Sequence, residues 1–140
     1  MLAAYPACFF KEESGYSVIF PDLNYLATCG NSMNEALHAA VDSLAGYLYS
    51  CEKEGEDIPV ASVFENVNVL QVAEELGLEA EGAFVNMVTV DVEAYAKLHF
   101  EKAVKKTLTI PAWLNAMAIK NNINFSQVLQ DALKEKLHVR

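Results

Sequence analysis

The spacing of apolar and polar positions changes along the chain, and each change marks an element. AAYPACFF (3–10) and GYSVIF (15–20) are short runs rich in aromatic and β-branched residues. The polar KEESG between them predicts two strands joined by a hairpin turn. PDLN (21–24) interrupts again and YLATCG (25–30) predicts a third strand, so the opening reads as an antiparallel meander. From residue 32 the period lengthens. Ala36, Leu37, Ala40, Val41, Leu44, Tyr47, Leu48 and Cys51 recur at intervals of three and four, predicting a helix over 32–53 that packs one face on the sheet. Ser32 and Glu35 form a capping box ahead of it, and Gly55 is its predicted stop.

Beyond EDIPVAS the pattern predicts a helix over 68–77 ending at Gly77, a fourth strand over 83–90, and a short helix over 92–100 with Asp91 as N-cap. The tail changes character. In VKKTLTIP (104–111) Leu108 and Ile110 point one way while Lys105, Thr107 and Thr109 point the other, which predicts a strand ended by Pro111. A helix follows with Leu114, Met117 and Ala118 on one face and Trp113 beside it. KNNIN breaks that helix, and Asn124 with Gln127 opens a second whose Val128, Leu129, Ala132, Leu133 and Leu137 are apolar. About 36 residues of strand, helix and helix cannot bury a sufficient core alone, and a lone strand leaves its backbone groups unpaired. The tail is therefore expected to dimerise through Leu108, Ile110, Leu114, Val128, Leu129 and Leu133.

Charge sharpens this division. The 140 residues carry a formal net charge of -9, yet residues 1–95 hold 2 basic and 16 acidic side chains, net -14, while residues 96–140 hold 8 basic and 3 acidic, net +5. Such a split predicts a basic partner for the front and a polyanion for the back. The expected organisation is a front domain over 1–96, a linker over 97–102 and an appendage over 103–140. A plain dimerisation appendage would also carry outward threonines through β-propensity, but the positive charge concentrated there weighs against it.

Cys8, Cys29 and Cys51 are far apart and odd in number, so they read as small buried apolar residues rather than metal ligands. MLAAYPACFF lacks a basic segment and a long apolar run, and no uncharged stretch approaches the roughly 20 residues of a spanning helix, which points to a cytoplasmic protein. Catalysis finds little support. The predicted strands 3–10, 16–20 and 25–30 contain no Asp or Glu, no nucleotide-binding loop or Ser-His-Asp order is present, and nothing calls for a cofactor or a metal. His38 lies beside the apolar stripe of the first helix, and His99 and His138 sit near segment ends.

A strand in need of a partner followed by two short helices resembles the ribbon-helix-helix family over roughly residues 103–138, on TLTIPAWL and the NINFSQ turn. The resemblance implies that two chains pair their strands into a ribbon that enters the DNA major groove. Lys105, Thr107 and Thr109 would then read bases, and Asn124, Ser126 and Gln127 at the start of the second helix would hold a phosphate. Readers in that family are often Arg or Gln, so two threonines here imply weaker or more shape-dependent contacts.

The front resembles HicB-type antitoxins. The likeness runs through YPACFFKEESGYSVIFPDLNYLATCGNSMNEALHAAVDSLAGYL, including the F-P-D-L turn and the G-x-S-x-x-E-A run, then IPVAS and VDVEAY; residues 62–83 match only loosely. It implies an α+β fold, with an N-terminal antiparallel sheet packed by helices (partial RNase H-like) ahead of the ribbon-helix-helix. It also implies a small basic HicA-type toxin that cuts mRNA as partner, and repression of the chain's own operon through double-stranded operator DNA. The assembly would be a homodimer, with pairing into tetramers left open. An acidic surface should attract a basic toxin and speed association. Glu12 and Glu13 at the hairpin tip and Asp22 in the second turn are the candidate toxin contacts. The other reading is a ribbon-helix-helix regulator without a toxin, whose front senses a small ligand.

Overall fold

The longest strand, β1 (Leu2–Lys11), is also the most buried, because its alternate residues serve two different cores. Tyr5, Ala7 and Phe9 join one apolar cluster, and Cys8 and Phe10 join a second on the opposite face. β2 (Tyr16–Phe20) repeats this division, with Val18 and Phe20 in the first cluster and Ile19 in the second. β3 (Leu26–Gly30) and β4 (Phe84–Asp91) complete a four-stranded sheet in the order β3-β2-β1-β4, antiparallel at every pairing. These observations come from a computed structural model that describes residues 2–140.

Helix α1 (Met33–Glu54) lies across the first face and buries Ala36, Ala40, Leu44, Ala45, Leu48 and Cys51. Its start is fixed by Ser32 Oγ, which accepts from the Glu35 N–H at 3.1 Å, while Glu35 Oε2 accepts from the Asn31 N–H at 2.9 Å. Gly30 permits this approach: a Cβ there would lie 2.3 Å from the Ala36 backbone nitrogen. Gly55, left-handed at φ 70, ends the helix. Helix α2 (Val69–Leu76) covers the second face with Val72 and Ala73, capped by the Asn68 side chain and stopped by left-handed Gly77. Helix α3 (Val92–His99) follows β4 directly, with the Asp91 carboxylate accepting from the Ala94 N–H at 3.1 Å.

By chain contacts the protein divides into two compact units, Met1–Lys102 and Ala103–Arg140. In the second, α4 (Ala112–Lys120) and α5 (Phe125–Leu137) are joined by a turn in which Asn122 is left-handed at φ 56.

The structure departs from the sequence expectations at four places. Leu37 is exposed, because it sits at the margin of the α1 stripe rather than over the sheet. Cys29 is exposed as well, since on the end strand β3 it faces away from α1 at a point α2 does not cover. The expected linker at 97–102 is occupied by the end of α3 and by Phe100, whose ring packs on Tyr49 at 5.4 Å and on Tyr95 at 5.5 Å. Finally, residues 101–111 have no regular secondary structure. A strand is defined by its ladder, and a single chain offers this one no neighbour.

Candidate functional site

In the unit 103–140 the candidate base readers Lys105, Thr107 and Thr109 lie in the irregular segment before α4, all exposed. Leu108 and Ile110, which alternate with them, are equally uncovered, Leu108 by 61%. Leu114, Val128 and Leu133 are exposed too, Leu129 is half-buried, and none of the described residues 103–140 is buried. Trp113, Met117, Ile119, Ile123 and Phe125 are exposed as well. Periodicity does not single out Ile119, Ile123 and Phe125, because the turn residues around them mask the period. A unit that buries nothing by itself is short of the apolar burial that folding requires.

At the start of α5 the three candidate phosphate ligands are brought together, but each is engaged within its helix. Asn124 Oδ1 accepts from the Gln127 N–H at 3.0 Å, Gln127 Nε2 donates to Asp131 Oδ1 at 2.9 Å, and Gln130 Nε2 donates to Ser126 Oγ at 3.2 Å. What the helix start can present to an anion is its opening N–H groups, together with the positive end of the helix dipole. Lys134 and Lys136 lie in the last turn, where a positive charge complements the opposite end.

In the first unit the two hairpin carboxylates and Asp22 have different surroundings. Glu12 and Glu13 are exposed at the β1–β2 turn, and Glu12 Oε1 accepts from Ser17 Oγ at 2.7 Å. A shallow recess of about 320 Å³ beside them also holds Lys11, Leu78 and Glu79, so the structure adds a third carboxylate from a distant part of the chain. Asp22 is not part of this group. Its two carboxylate oxygens accept from the Ser62 N–H at 2.8 Å and from Ser62 Oγ at 2.5 Å, which ties the turn after β2 to the loop after α1. The Tyr5 hydroxyl donates to the Pro59 carbonyl at 2.5 Å and anchors the same loop. No local sequence signal marks either tie, since the partners are 40 and 54 residues apart.

Under that loop lies a groove of about 820 Å³ lined by Tyr5, Leu48, Tyr49, Ile58, Ala61 and Ala96, with Glu52, Lys53, Glu93 and Glu101 also on its wall. Titration behaviour in this unit follows burial and neighbouring carboxylates. Burial raises the Cys8 thiol from 9.0 to about 11, with a smaller push from the Asp22 charge. Burial likewise raises the Tyr5 hydroxyl, and the Asp22 charge adds to it. Both groups are therefore neutral near pH 7 and unsuited to act as nucleophile or base there. Among the described residues, no group of three or more His, Cys, Asp or Glu is placed to hold a metal ion. Nor is any helix among them long and apolar enough to cross a membrane.

The chain thus joins an acidic sheet-and-helix unit to a small basic helical unit whose apolar residues are uncovered. Comparison with known proteins gives the family. The model of the HicB-like antitoxin of bacterial toxin-antitoxin systems matches residues 5–133, and the chain belongs to that family. A chain in a toxin-antitoxin complex from Streptococcus pneumoniae is 30% identical over 97% of this chain and 99% of its own, with a TM-score of 0.65. The antitoxin HicB of Burkholderia pseudomallei is 23% identical over 96% of each chain, TM-score 0.47. A chain of the HicA3 and HicB3 toxin-antitoxin complex is 21% identical over 61% of this chain and 94% of its own, TM-score 0.44. No curated protein matched the sequence.

Proposed function

We propose that this chain is the antitoxin of a type II pair. Its front unit neutralises a HicA-type mRNA ribonuclease, and its tail dimerises as a ribbon-helix-helix that binds operator DNA and represses the chain's own operon. The observation that carries the reading is the division of charge between two separate units. Residues 1–102 hold 4 basic and 17 acidic side chains, net -13; residues 103–140 hold 6 basic and 2 acidic, net +4, and the two sum to -9. The first suits a basic protein and the second a phosphate backbone. Family membership and the likeness to a chain of a toxin-antitoxin complex support the toxin partner. The sheet order with one long helix across a face supports the partial RNase H-like description.

For the tail, the support is physical. Leu108 and Ile110 would be buried between two chains if 104–110 paired with its symmetry mate, and Lys105, Thr107 and Thr109 would then form the opposite face of a ribbon. Pairing also satisfies backbone groups that a single chain leaves to water. The test is co-expression of the full chain with the toxin frame beside its gene. Recovery of a stable complex that no longer degrades RNA is expected, and toxin activity undiminished at excess antitoxin would contradict the reading. The groove under the 58–61 loop favours a second reading, a regulator whose front senses a small apolar ligand. It predicts DNA affinity that changes with such a ligand and needs no toxin.

A further inference from the structure

Backbone parity along the sheet leaves one long strand edge open. At the β1–β2 turn the Glu12 N–H donates to the Gly15 carbonyl at 3.0 Å, and the register continues as Phe10 with Ser17 and Cys8 with Ile19. In an antiparallel ladder the N–H and C=O of one residue point to the same side, and those of its neighbours to the other. Cys8 and Phe10 thus face β2, whereas Tyr5, Ala7 and Phe9 face β4, opposite Val88, Asn86 and Phe84. Pro6 agrees with this assignment: its missing N–H would point to the β2 side, where the β2 register has already ended at Cys8. On β4 the residues whose backbone points away from the sheet are therefore Val85, Met87, Thr89 and the terminal Asp91, which is engaged elsewhere. The Met87 N–H is held by its neighbour's Asn86 Oδ1 at 3.1 Å, leaving Val85 and Thr89 as the open donors.

End strands are ordinarily protected by lysine, proline, bulges or short length. β4 has no lysine, proline or glycine, and its one charge is Asp91 at its very end, in a chain that is 21% charged. On the face away from α1, Met87 and Thr89 of β4 stay exposed, although the 64–66 turn approaches the strand and Val85 packs into the second cluster. We propose that the outer edge of β4 receives a strand from the basic toxin, extending the sheet to five strands; this rests on the toxin-antitoxin reading above. Charge selects that occupant over a second copy. A second copy would bring another net -13 against this one, whereas Glu81 before the strand and Glu93 after it would flank a basic segment with opposite charge. Main-chain bonds would supply affinity, and the exposed Met87 and Thr89 on the face away from α1 would meet alternate side chains of the added strand.

The test uses the full chain co-expressed with the toxin. Thr89→Pro removes an outward N–H from an exposed position without touching the β1–β4 bonds, and Cys29→Pro does the same on the opposite edge, β3. At least about tenfold weaker toxin binding is expected for Thr89→Pro and little change for Cys29→Pro. In the unaltered pair, amide exchange at Val85 and Thr89 should slow on toxin binding, while Asn86 and Val88 should be slow in both states. Fast exchange at Val85 and Thr89 in the complex overturns the proposal whether or not the proline variant folds. So does a Thr89→Pro chain that binds toxin fully but loses mass as an oligomer, since the edge would then belong to a second copy. No complex with the wild-type chain would instead remove the toxin reading itself.

Discussion

Asp22 and Ser62, 40 residues apart, are joined twice, with the serine donating through its backbone N–H and its hydroxyl to the two oxygens of one carboxylate. That relationship makes Asp22 a clamp on the 58–63 loop. Asp22→Ala should lower stability by about 2 kcal/mol, in line with half-buried hydrogen bonds to a charged group. Ser62→Ala, which keeps the N–H bond, should lower it by about half as much. Urea denaturation of the three chains checks both. If Asp22 acted on the toxin alone, the substitution would weaken toxin binding and leave stability unchanged.

Cys8 predicts a pH dependence. Its folded value of about 11 lies above the ordinary 9.0, so the thiol stabilises the fold fully below pH 9 and that contribution is lost as pH rises toward 11. The loss is on the order of 2–3 kcal/mol across that window. Comparing unfolding free energies at pH 8 and pH 10.5 for the wild type and Cys8→Ala isolates it. The wild type should fall more steeply than the variant, and equal slopes would remove the assignment.

Much of the first unit is legible in the sequence, because its strands and helices carry their own punctuation. Ser32 with Glu35, Gly55, Gly77 and Asp91 each mark a boundary that the backbone then uses, and the strand alternation sorts β1 between two cores. What is not legible depends on distance along the chain. The Tyr5–Pro59 and Asp22–Ser62 ties, the approach of Glu79 to Glu12 and Glu13, and the packing of Phe100 on Tyr49 join residues with no common local pattern. The tail shows the converse. Its strand pattern is plain in VKKTLTI, but one chain offers it no neighbouring strand, and no strand forms there.

The tail's apolar residues predict a dimer. Leu133→Asp should leave the helices of a single chain little changed, since Leu133 is already half exposed there, yet it should weaken self-association by at least about tenfold if the dimer buries it. Sedimentation equilibrium of the full chain reads the outcome. An unchanged association constant would place the dimer interface elsewhere.

Replacing Lys105, Thr107 and Thr109 together with alanine should abolish preference for the cognate duplex while leaving toxin inhibition intact. A well-placed side chain on a base edge supplies about 1–3 kcal/mol of discrimination, and the triple variant gives up all three. Loss of both activities at once would mean that the two units do not act separately.

The division of labour between the two units is tested most directly by fluorescence anisotropy of the full chain on the duplex upstream of its gene and on a scrambled duplex, at two salt concentrations. Clear preference for the upstream duplex, with affinity falling as salt rises, is the predicted result for a basic tail that contacts both phosphates and bases. Equal, weak binding to both duplexes, with or without bound toxin, would contradict it.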